Sequence, residues 1–249
     1  MIKVGITGQA GFVGTNLYNY LKEDSRFDTI PFEDGYYEDT KQFKDFTSKC
    51  DVIVHLAAIM RSQEPGIVYD TNMRLVRDLI NAADNAGARP TILFSSSIQE
   101  TGDSEYARCK REGAELLGNW CAQNGKGFCK MIFPNLFGPF AKPNYSSFIA
   151  TFCYKLTHGE DPQVLVDNEV PLAYIGDVVN NIADLIVQID LDKIRSTYKV
   201  EPQFRMKVTE ALLLLKRFKV EYYDCGKMPT LKSKAEKDLF TTFCSYIER

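Results

Sequence analysis

The sequence predicts an α/β fold, a doubly wound parallel sheet with a smaller C-terminal lobe, on three observations. Short runs rich in β-branched residues alternate with longer helical stretches, the order that gives parallel strands covered by helices. Val52, Ile53, Val54 and Leu56 form a nearly continuous apolar run, which suits a strand buried on both faces. The run 2–7 passes straight into a glycine-rich turn and then a helical segment, the order of the first strand and helix in such a sheet.

Strands are expected at 2–7, 28–32, 51–58, 91–97, 127–133 and 197–201, with helices over 11–24, 68–86 and 104–123. Beyond Pro134 the pattern changes. Turn signals gather at Gly138-Pro139, at Lys142-Pro143-Asn144 and over 159–162. Residues 234–246 put Leu239, Phe243 and Tyr246 on one helical face.

Composition excludes several classes. With 249 residues, 45% hydrophobic and 25% charged, the chain is globular and long enough for a sizeable core. Lys and Arg number 30 against 33 Asp and Glu, a net charge of −3 with no basic block, which argues against nucleic acid or an anionic membrane as partner. No apolar run approaches the length of a membrane span, and Met1 leads directly into a strand rather than a signal peptide. The expected location is the cytoplasm. Seven cysteines without C-x-x-C spacing and two histidines predict neither a disulfide framework nor a metal centre.

The first turn reads Gly8-Gln9-Ala10-Gly11-Phe12-Val13-Gly14. Glycines there let backbone approach a pyrophosphate, and the following helix offers free N–H groups and the positive end of its dipole. Residues 1–135 are therefore read as a Rossmann-type dinucleotide-binding domain to which a segment near 170–200 returns, and 136–249 mostly as a substrate-binding lobe. Glu33 and Asp34, near the end of the second strand, suit the ribose hydroxyls of NAD(H) and would repel the 2′-phosphate of NADP(H).

A second group carries chemistry. Ser95, Ser96 and Ser97 close the fourth predicted strand, at the sheet edge where such folds bind ligands. Tyr106 and Lys110 follow at i, i+4 spacing, on one face of the next helix. A nearby ammonium lowers a phenol's pKa, and a phenol so tuned exchanges a proton with a substrate oxygen while hydride moves at a nicotinamide.

On these residues the chain resembles the extended short-chain dehydrogenase/reductases, the NAD-dependent epimerase/dehydratase family of sugar-nucleotide enzymes, over nearly its whole length. Gly8, Gly11 and Gly14 match its glycine motif, and His55-Leu56-Ala57-Ala58 its third-strand motif beside the cofactor. The resemblance implies Ser97, Tyr106, Lys110 and the structural Asn72 as the catalytic set, with Tyr106 and Lys110 also touching the cofactor and Asn72 supporting the surroundings of Lys110. It implies Gly8, Gln9, Gly11, Phe12, Val13, Gly14, Leu56, Ala57, Ala58, Ser95 and Pro134 as further cofactor contacts. Ser97, Asn135, Lys142 and Asn144 are the implied substrate contacts. It also implies a homodimer paired through helices 68–86 and 104–123.

Ser95-Ser96-Ser97-Ile98-Gln99, Pro134-Asn135-Leu136-Phe137-Gly138 and Lys142-Pro143-Asn144-Tyr145 resemble, more narrowly, the CapF-like reductases of capsular polysaccharide synthesis. Those enzymes reduce a UDP-4-keto-6-deoxy-HexNAc with NADPH on the way to UDP-N-acetyl-L-fucosamine, which keeps NADP(H) open as the coenzyme beside NAD(H), and a C-terminal cupin domain epimerises the sugar. The 249 residues hold no cupin counterpart, so the cupin lies either outside this sequence or on a separate partner chain, and only the reduction carries over. Dehydratases of the family place Asp-Glu after the active-site hydroxyl. Ile98 and Gln99 stand there instead and cannot exchange protons, which disfavours dehydration. Reduction is the expected reaction, with C4 epimerisation and a non-catalytic dinucleotide sensor as the alternatives.

Overall fold

The structure is a computed structural model that describes residues 1–188 and 196–247. Its described strands are β1 (Ile2–Thr7), β2 (Phe27–Ile30), β3 (Val52–His55), β4 (Thr91–Ser97), β5 (Phe128–Phe133), β6 (Asn135–Phe137), β7 (Glu169–Tyr174), β8 (Ser196–Lys199) and β9 (Phe204–Lys207). The helices are α1 (Phe12–Glu23), α2 (Thr40–Lys49), α3 (Ile67–Ala86), α4 (Glu105–Gln123), α5 (Phe148–Thr157), α6 (Ile175–Gln188), α7 (Val208–Phe218) and α8 (Lys234–Cys244). Among the described residues no helix is long and apolar enough to cross a membrane. The chain divides into two units, Met1–Phe133 with Asn180–Val200, and Pro134–Val179 with Glu201–Arg249. The returning segment thus starts at Asn180, and its residues 189–195 lie outside the described set.

The first unit holds a six-stranded parallel sheet in the order β2-β1-β3-β4-β5-β8. Strand order reverses between β1 and β3, and a sheet of this kind opens its ligand crevice at the carboxyl ends of the strands beside that reversal. β3 is shorter than the sequence predicts. Its ladder ends with Leu56 N–H donating to Thr7 O at 3.1 Å, because β1 stops there and turns into the glycine loop. Leu56, Ala57 and Ala58 are therefore a loop at the strand end. β2 also stops early, at Ile30.

Two glycines set how closely helices approach this sheet. A Cβ on Gly5, in the middle of β1, would lie 2.4 Å from Phe46 Cζ, so only a bare backbone admits the α2 ring. Phe46 then meets Phe32 edge-to-face at 4.8 Å, which fixes the chain just past β2. Gly113 does the same for α4: its Cβ would lie 3.3 Å from Phe94 Cζ. Ser104 caps α4 by accepting the Ala107 N–H at 3.1 Å, and this sets Tyr106 in the first turn.

In the second unit β7 pairs in parallel with β6 and antiparallel with β9. Phe137, Leu215, Phe218, Leu239 and Phe243 are fully buried in its core. α8 ends at Cys244, two residues before Tyr246. That ring packs on the same core from the following turn, where its hydroxyl donates to Ala141 O. Phe218 meets Phe240 at 5.2 Å and Phe243 at 6.3 Å, so Phe218→Ala leaves a ring-sized void. Denaturant titration is expected to show a loss of about 3–5 kcal/mol, and a change below about 1 kcal/mol would contradict this packing.

Candidate active site

The glycine turn leaves no room for side chains. Gly8 has φ +71°, and a Cβ there would lie 2.7 Å from Ala57 N. A Cβ on Gly14 would lie 2.2 Å from Gly8 O. The turn closes through Gly11 N–H donating to Gly8 O at 3.0 Å. Gly11 gives α1 no side-chain cap, so the helix opens at Phe12 and Val13 with its dipole uncompensated by a side chain. Gly8 is thereby pressed against the Leu56–Ala58 loop, two parts of the predicted cofactor site brought together. Gln9 departs from expectation in one respect: its side-chain Oε1 accepts the Phe32 N–H at 3.0 Å and ties down the chain after β2.

That tie shapes a pocket of about 380 Å³, lined in part by Gln9, Thr15, Tyr18, Phe32, Glu33 and Asp34. Both acidic residues predicted to meet a ribose thus border the glycine turn. The cradle fits a dinucleotide: the backbone is bare where a pyrophosphate must approach, and carboxylates stand where ribose hydroxyls would need acceptors.

The hydroxyl strand and α4 form the second half. Lys110 is 3% exposed, and its Nζ donates to Ser95 Oγ at 3.3 Å. The ammonium lies 4.9 Å from the Phe94 ring centre and 5.5 Å from that of Tyr106. Burial pushes its pKa down to about 8. Beneath it His55 is 1% exposed, and its Nδ1 shares a hydrogen bond of 2.7 Å with the Thr7 hydroxyl. Burial, and then the charge of Lys110, lower the imidazole pKa to about 3, so His55 is neutral.

The three serines divide their work. Ser95 receives Lys110, Ser96 donates to Glu100, and Ser97 Oγ accepts the Gln99 N–H at 3.2 Å. Asn72 is buried and reaches Ile59 rather than Lys110. Its Oδ1 accepts the Ile59 N–H at 2.9 Å, and its Nδ2 donates to Ile59 O at 2.8 Å. The same Nδ2 lies 3.2 Å from Cys109 Sγ, beside Lys110 in sequence. Sequence reading overlooked Glu100 and Lys130, whose ion pair of 2.7 Å stands behind the serine strand. One signal was available: Lys130 is a lone charge inside the otherwise apolar run of β5.

In the second unit, Asn135 lies on β6 and its Nδ2 donates to Pro171 O at 3.3 Å. Lys142 is exposed, with Nζ 5.9 Å from the Tyr145 ring centre. Asn144 takes φ +57°, and its N–H donates to Thr151 Oγ1 at 2.9 Å. Pro134, where this unit begins, is buried.

A parallel sheet with this glycine cradle defines a dinucleotide-binding protein, and the NAD dependent epimerase/dehydratase family matches residues 4–200. The chain belongs to that family. It is 32% identical over 223 residues to the UDP-2-acetamido-2,6-beta-L-arabino-hexul-4-ose reductase of Pseudomonas aeruginosa, covering 88% of this chain and 58% of the reductase. The crystal structure of the capsular polysaccharide assembling protein CapF from Staphylococcus aureus superposes with a TM-score of 0.80 at 31% identity, over 99% of this chain and 65% of CapF. The chain thus spans about three fifths of the length of these two relatives. RMD from P. aeruginosa, complexed with NADPH, shares the fold at a TM-score of 0.80 and 18% identity, over the full length of both chains.

Two outcomes follow from this geometry. Gly14→Ala drives a methyl group against Gly8 O and opens the turn, so calorimetry should show dinucleotide affinity falling on the order of 100-fold with the far-UV spectrum unchanged. Retained affinity would remove the turn from the site. For Lys110, the folded pKa lies below the ordinary lysine value of 10.5, so between about 8 and 10.5 the unfolded chain binds more protons and this group's contribution to stability rises with pH. Lys110→Met should therefore exceed the wild type in stability by about 1–3 kcal/mol below pH 8, with the difference shrinking as pH climbs. A difference independent of pH would contradict a buried ammonium.

Proposed function

We propose that this chain is a nicotinamide-dependent reductase of a sugar-nucleotide ketone. Its substrate is the 4-keto group of a UDP-4-keto-6-deoxy-HexNAc, on a route to capsule or O-antigen precursors of the UDP-N-acetyl-L-fucosamine type. The observation that carries the reading is the buried Lys110 beside Tyr106 and Ser95 at the end of β4, in the same unit as the glycine cradle. The 32% identity to a UDP-sugar reductase supports the substrate class.

When bound, the reduced nicotinamide supplies the hydride. Tyr106 donates the proton that the reduced ketone oxygen requires. Ser97 already spends one lone pair on Gln99 N–H, which leaves its O–H as a donor for the developing oxyanion. Lys110 holds its charge close to the Tyr106 ring and favours the phenolate left after proton donation. Gly8, Gly11, Gly14 and Leu56–Ala58 hold the dinucleotide, and Asn135, Lys142 and Asn144 in the second unit take the sugar nucleotide.

Glu33 and Asp34 make the coenzyme NAD(H). A 2′-phosphate added at the ribose would meet two exposed carboxylates that line the same pocket, like charge against like charge. A homodimer, a separate cupin epimerase and a cytoplasmic location belong to the same reading.

The test incubates purified protein with the UDP-4-keto sugar and follows coenzyme absorbance. Oxidation of NADH should exceed that of NADPH by on the order of 10-fold. Tyr106→Phe should lower turnover by about 100- to 10,000-fold and leave the coenzyme Kd unchanged. No oxidation of either coenzyme, or full turnover by the phenylalanine variant, would overturn the proposal.

A further inference from the structure

Ser97 is followed at once by a 3-10 turn, Ile98–Thr101, whose position decides where the Ser97 hydroxyl points. Ser97 Oγ accepts from Gln99 N–H inside that turn, so displacing the turn rotates the hydroxyl. Glu100 fastens the turn from three sides. One carboxylate oxygen accepts from Ser96 Oγ on β4, and the other pairs with Lys130 Nζ on β5 at 2.7 Å. The Glu100 carbonyl accepts from Arg111 on α4, and Arg111 also donates to Gly102 O at 2.7 Å.

Stability alone is a poor reason for this arrangement. The Glu100 and Lys130 side chains are 12% and 23% exposed, and a pair so far removed from water returns little net free energy after desolvation. What such a pair provides is fixed geometry, and here the fixed element is the turn whose Gln99 N–H holds the Ser97 hydroxyl.

We propose that Glu100, held by Lys130, is a positioning residue that sets the Ser97 hydroxyl for the reduction. The kinetic part of this inference rests on the reductase reading above.

A double-mutant cycle of Glu100→Ala and Ser97→Ala tests it. Glu100→Ala is expected to lower kcat by about 10- to 100-fold with the coenzyme Kd within about twofold, and Glu100→Gln, which keeps an acceptor for Ser96, to recover part of the loss. Adding Glu100→Ala to Ser97→Ala should cost nothing further, because the group it positions is already gone. Losses that multiply, an unchanged kcat, or coenzyme binding lost in parallel would each overturn the role. NMR order parameters supply a readout independent of turnover. Amides of residues 98–101 should fall from about 0.85 toward 0.6 in Glu100→Ala while those of α4 hold. If the wild type reduces no sugar nucleotide, the reductase reading fails, and order parameters unchanged in Glu100→Ala would overturn the positioning role separately.

Discussion

The first unit is organised around one unfavourable charge. An ammonium 3% exposed needs partners, and Lys110 finds a serine hydroxyl and two aromatic faces. Several features serve that placement. Gly113 lets α4 come down on Phe94, the Ser104 cap fixes the phase of the first turn, and His55 stays neutral so that no second cation competes. A lysine kept this dry is poised to change protonation near neutral pH, whereas an exposed one is not.

Much of this was legible in the sequence because the signals are local. The turn from β1 into α1, the apolar run of β3 and the Tyr106–Lys110 spacing each fit within a dozen residues. β1 and β4 have the bounds that the sequence predicts. β3 fell short for a reason the sequence does not carry: its neighbour β1 turns away at Gly8, so Leu56–Ala58 loses the ladder on that side. α2 escaped notice because Phe43 and Phe46 are the only large apolar residues in a polar stretch, and two anchors do not declare a helical period.

Pairings across the sheet were the least legible part. Glu100 and Lys130 are thirty residues apart, and their meeting depends on the register that sets Phe94 opposite Lys130. The role of Asn72 was likewise hidden. The resemblance implied support for Lys110, but the backbone it serves, Ile59, lies thirteen positions upstream on an irregular loop. Membership of the family rests on the match over 4–200.

The pair of hydrogen bonds between Asn72 and Ile59 has a mechanical consequence. By taking both the N–H and the C=O of one residue, the side-chain amide stands in for the neighbouring strand that the loop lacks. Its third contact, to Cys109, joins that loop to the helix bearing Tyr106. The wall that flanks the glycine turn and the helix that bears Tyr106 thus meet at a single amide. Moving one without the other would have to break a hydrogen bond of that amide.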